Sequence, residues 1–104
     1  MARLSWTDQA IADLNNIAEF IAKDSVKYAK ITISKIQISA RTLRKFPYSG
    51  RKVPETDIEN IRELIFGNYR IIYLVYGHEN IYILTVHHSA RRLNVTALKS
   101  RSGS

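Results

Sequence analysis

The apolar residues Ala10, Leu14, Ile17 and Ile21 recur at steps of four, three and four, one stripe of an amphipathic helix. Thr7 or Ser5 can cap its start, with Asp8 placed well in the first turn. Asp24 and Ser25 are the next capping candidates, so AKDS reads as a tight joint to a second helix. Its segment ITISKIQIS is β-branched enough to suit a strand. The longer series Ala29, Ile33, Ile36, Ala40 and Leu43 nevertheless keeps helical spacing, and length decides for a helix. It should stop by Phe46, because Pro47 disfavours helical geometry in the residue before it. Helices are thus expected over about 8 to 22 and 25 to 46, as an antiparallel hairpin.

Before them, ARLSW suits a short first strand; after them, PYSGRKVPETD, with two prolines and a glycine, suits a loop. Three strands follow, Ile61 to Phe66, Tyr69 to Tyr76 and Ile81 to His88, joined by Gly67-Asn68 and by GHEN. SARRLNVTAL reads as a weak terminal helix or arm. The expected fold class is α+β: an N-terminal strand and helical hairpin packed on a small antiparallel sheet with Tyr69 to Tyr76 central. One domain over residues 1–100 is expected, and the closing RSGS reads as a cloning remnant.

Simple hairpins set Arg70 opposite His87 and Tyr69 opposite His88. One sheet face then carries Glu63, Ile65, Arg70, Ile72, Leu74, Ile83, Thr85 and His87. The other carries Arg62, Leu64, Tyr69, Ile71, Tyr73, Leu84, Val86 and His88. Both faces are apolar, yet one helical hairpin covers only one, and a half-covered sheet invites a partner.

Composition narrows the classes. A chain of 104 residues with 45% hydrophobic content holds one packed core. No cysteine is present, which excludes disulfides and thiolate metal sites. With no signal-peptide core and no run of ~18 apolar residues, a cytoplasmic domain without membrane contact is expected. The net charge of +7 is densest in RTLRKFPYSGRK, where Arg41, Arg44, Lys45, Arg51 and Lys52 meet no acid. Such excess favours nucleic acid, a ribosome surface or an acidic protein.

The ending VHHSARR concentrates the candidate chemistry. His87 and His88 point to opposite faces and His78 lies in a remote turn, so neither a metal site nor any cofactor is expected. Arg70 and His87 side by side could hold a phosphate and move a proton, the roles needed for metal-independent RNA cleavage. Alternatively Arg70 pairs across strands with Glu63, and His87 is a half-exposed strand end.

In order, SWTDQAIADLNNIAEFIA, LRKFPYSGRKVP, IREL, GNYRIIYLVY and IYILTVHHSARRL resemble the RelE/ParE superfamily of type II toxin–antitoxin toxins, over residues 2 to about 93. The resemblance implies a helical hairpin on an antiparallel sheet, growth arrest by the toxin, and neutralisation by a cognate antitoxin. RelE-like members cut mRNA on the ribosome; ParE-like members poison DNA gyrase. Arg70, in NYR, matches an arginine of the RelE-like nucleases. No Lys-x-Lys pair precedes that strand, and no tyrosine or histidine follows Arg91. DLNNIAEFIA, FPYSGRKVP and VHHSARRL look closer to ParE-like sequences. That reading makes the chain a gyrase inhibitor rather than an enzyme, with Arg51, Lys52, Arg62, Tyr69, His88, Arg91 and Arg92 meeting target or antitoxin. Arg70 and His87 would be catalytic only in a ribonuclease. A non-toxic protein-binding module is the reading from another class.

Overall fold

In the computed structural model, which describes residues 1–77 and 79–89, Thr7 starts the first helix. Its hydroxyl accepts from the Ala10 amide (3.2 Å) and donates toward the carbonyl oxygens of Ile83 (2.8 Å) and Leu84 (3.1 Å). One side chain thus satisfies a helix end and ties it to the sheet. Helix α1 spans Asp8–Ala22. Ser25 caps helix α2, Val26–Arg41, by accepting from the Tyr28 amide. A 3-10 turn at Thr42–Arg44 closes α2, so regular helix ends short of the expected Phe46. The strands are β1 (Arg3–Trp6), β2 (Arg51–Lys52), β3 (Ile61–Phe66), β4 (Tyr69–Tyr76) and β5 (Asn80–His88).

The sheet order is β1-β5-β4-β3-β2, with β4 central. It is mixed rather than wholly antiparallel, because β1 runs parallel to β5 and pairs Trp6 with Ile83. The two-residue strand β2 inside the expected loop adds the far edge. Gly67 takes a φ of 55°, as the first central position of a type II′ hairpin turn requires.

The second hairpin corrects the expected register. Tyr69 faces His88 and Arg70 faces His87, as the spacing predicts. Beyond Ile72, however, Tyr73 faces Ile83 and Tyr76 faces Asn80, because a bulge follows the Ile72–Thr85 pair. The turn is therefore shorter by one residue than GHEN, and the extra residue is taken up inside β5. Ile83 consequently joins Tyr73 beneath the helices, and Leu84 moves to the opposite face with Ile72 and Leu74. This is the reverse of the expected placement of both residues.

Ala10 and Leu14 of α1 and Ile36 and Ala40 of α2 pack on Ile71, Tyr73, Val75 and Ile83. Each buried Leu, Ile or Val side chain there contributes about 1.5–3 kcal/mol. Asp13 of α1 closes the β5 edge, accepting from the Val86 amide (3.0 Å) and the Thr85 hydroxyl. Most of the second sheet face does not stand open as expected, although Ile65 on it stays exposed. Val53 and Ile58, from the segment before β3, cover Ile61, Ile72, Leu74 and Leu84. The expected terminal helix or arm lies outside the described residues.

Candidate functional site

Strand alternation puts Glu63 and Arg70 on the second sheet face, and β2 brings Arg51 opposite Glu63. Arg70 is buried, at 7% exposure, and all three of its guanidinium nitrogens donate to carboxylates. Its Nε reaches Glu63 Oε1 (2.5 Å), and its Nη1 and Nη2 reach the two oxygens of Glu55 (2.7 and 2.8 Å). The second oxygen of Glu63 takes Arg51 Nε at 2.8 Å. The result is an alternating chain, Glu55–Arg70–Glu63–Arg51, of two acids and two bases. The hydrogen bond from Arg70 holds the Glu55 carboxyl below its ordinary range. Bidentate pairing with Glu55 likewise raises the affinity of Arg70 for its proton.

The cross-strand pair with Glu63, weighed above as the alternative role of Arg70, is thus present. To hold a phosphate, this arginine must first leave two carboxylates, one of them fully buried. Stripping a partner from a buried charge is costly, about 3–5 kcal/mol. His87 is half-buried opposite Arg70, whereas His88 meets Tyr69 edge-on, ring centroids 5.6 Å apart, on the other face. Among the described residues no three His, Cys, Asp or Glu side chains gather as metal ligands.

The remaining predicted residues divide by location. Lys52 pairs in register with Arg62 at the β2–β3 edge and forms an exposed ion pair with Glu59 (2.7 Å). Arg62 lies over the Tyr48 ring, 5.1 Å from its centroid, and donates to the Gly50 carbonyl. Arg91 and Arg92 lie outside the described residues. Sequence reasoning missed Glu55, whose only signal was its place as the first acid after the basic run that begins at Arg41. It also passed over the exposed rings of Phe46 and Tyr48.

A family model described as the ParE toxin of a type II toxin–antitoxin system, parDE, matches residues 4–93, most of the chain. The chain belongs to this ParE toxin family. It is a toxin of a type II toxin–antitoxin system, in which the toxin is partnered by an antitoxin. Toxin RelE2 of Caulobacter vibrioides is 29% identical to this ParE-family chain over 91 residues, covering 88% of this chain and 99% of that protein. A solved structure of the chromosomal ParDE system from P. aeruginosa shares the fold, with a TM-score of 0.71 at 23% identity. That match covers 85% of this chain and 96% of the other. No helix among the described residues is long and apolar enough to cross a membrane.

Proposed function

We propose that this ParE-family toxin arrests growth by inhibiting DNA gyrase, acting as a binding protein rather than a ribonuclease. The observation that carries the reading is the commitment of Arg70 to Glu55 and Glu63. A metal-free ribonuclease needs a cation ready for the phosphate beside its acid and base. Here that cation is already neutralised within the fold. The cations Arg51, Lys52, Arg62, Arg91 and Arg92, with Tyr69 and His88, then serve contact with the target or antitoxin. The antitoxin has a fitting seat in the apolar groove between the helices, lined by Trp6, Ile11, Leu14, Ala18, Ile33 and Gln37.

A ribosome-dependent mRNA endoribonuclease is the second reading, favoured by the Arg70–His87 pair and by the name of the Caulobacter relative. Induced expression separates the two. The gyrase reading expects DNA breaks and an SOS response, toxicity nearly unchanged in His87→Ala, and weaker toxicity on charge reversal at Arg91 and Arg92. Codon-positioned mRNA cleavage that disappears in His87→Ala would establish the ribonuclease instead.

A further inference from the structure

The turn between α2 and β2 combines features that neither the antitoxin nor the gyrase reading requires. Phe46 and Tyr48 flank Pro47 and are 58% and 51% exposed. Their backbone is nevertheless fixed. Arg44 exchanges two hydrogen bonds with Ala2 at the entry: its Nε donates to the Ala2 carbonyl at 3.2 Å and its carbonyl accepts from the Ala2 amide at 2.9 Å. The Ser49 amide donates to the Phe46 carbonyl, and the Gly50 amide donates to the buried Tyr73 hydroxyl at 3.0 Å. Arg62 Nη1 holds the Gly50 carbonyl at the exit. Two large rings are therefore presented to solvent by an anchored turn.

Each ring has a cation beside it. Arg62 lies over Tyr48, and Lys45 Nζ lies 5.8 Å from the Phe46 centroid. Among the described residues neither cation forms a salt bridge. Lys52, next to Arg62 in register, has among the described residues only the solvent-exposed Glu59 as ion partner, a pair an incoming phosphate can replace.

We propose that Phe46 and Tyr48, with Lys45, Lys52 and Arg62, form a binding site for single-stranded nucleic acid. Unpaired bases stack on the two rings while the cations take the flanking phosphates. An acidic peptide would satisfy the cations and leave the ring faces unused; a duplex would satisfy the phosphates but keep its bases stacked inside. Lys52 and Arg62 are shared with the proposed contact with target or antitoxin, but stacking on Phe46 and Tyr48 is not. Binding here needs neither gyrase nor ribosome, so the site goes beyond the proposed function and can fail independently of it.

The test is fluorescence anisotropy of the purified full chain with labelled oligothymidylate, oligouridylate and a duplex of equal length, across a salt series. Both single strands should bind more tightly than the duplex. Tyr48→Ala and Phe46→Ala should each weaken binding about 5- to 100-fold, and Tyr48→Phe should retain it. Arg62→Gln should make the salt dependence shallower by about 0.7 in log–log slope. A preference for oligouridylate would name RNA as the source of the ligand, a preference for oligothymidylate DNA, and either upholds the site. Equal binding of duplex, equal displacement by polyglutamate, or alanine variants that bind like the parent would overturn it. Circular dichroism on each variant separates lost stacking from lost folding.

Discussion

At the residue scale the decisive group is Arg70, whose three guanidinium nitrogens each donate to a carboxylate inside the fold. Arg70→Ala leaves Glu63 buried without one of its two cations, so chemical unfolding should show a loss of about 3–5 kcal/mol. Glu55 supplies the pH dependence. Its carboxyl is held below the ordinary value of 4.5, so the unfolded chain takes up the proton first. The stabilisation is complete at neutral pH and fades as pH falls through 4.5 toward the lower folded value. Glu55→Gln should lower the melting temperature at neutral pH and flatten its decline on acidification. An unchanged acid profile would remove Glu55 from the Glu55–Arg70–Glu63–Arg51 chain. Gly50 is a second sensitive point, since an added Cβ would lie 2.5 Å from the Glu63 carbonyl oxygen and 2.6 Å from the Tyr73 hydroxyl. Both neighbours are anchored, so Gly50→Ala should cost about 1–3 kcal/mol in the same unfolding measurement. The Arg70–Glu63 pair was legible from strand alternation alone. Glu55 was not, because a loop has no period to place it.

At the element scale, Thr7 joins helix to sheet. Thr7→Ala removes the cap of α1 and the bonds to Ile83 and Leu84, and should destabilise the chain by at least about 1 kcal/mol. Thr7→Ser, which keeps the hydroxyl, should recover most of that. Both helices could be read from their stripes, and β4 at its true bounds, because long periodic segments are over-determined by burial. Two short features escaped. The strand β2 has only Arg51 and Lys52, both polar, and exists because β3 offers an edge. The bulge in β5 was hidden because NIYILTV is apolar at nearly every position, so no alternation marks the slip. That is why Ile83 and Leu84 exchanged faces while the Arg70–His87 pair, nearer the bulge-free end, held its place.

At the scale of the whole molecule, the expected open sheet face is largely covered by Val53 and Ile58, and exposed apolar side chains lie largely on the helices, as at Ile11, Phe20, Ile31 and Ile38. A loop rich in Pro and charge gave no sign that two of its apolar residues would serve as a lid. The antitoxin is accordingly expected at the helical groove. Trp6→Ala, which empties one wall of it, should weaken the complex by about 2 kcal/mol or more in titration calorimetry. The central claim, that this toxin acts on gyrase and not on mRNA, is tested most directly with purified components. Relaxed plasmid, gyrase and ATP are incubated with increasing toxin, and supercoiling is read on a gel. The account predicts that supercoiling is lost, that cleaved plasmid accumulates, and that adding the antitoxin restores activity. Full supercoiling at toxin concentrations that halt a translating extract would contradict it.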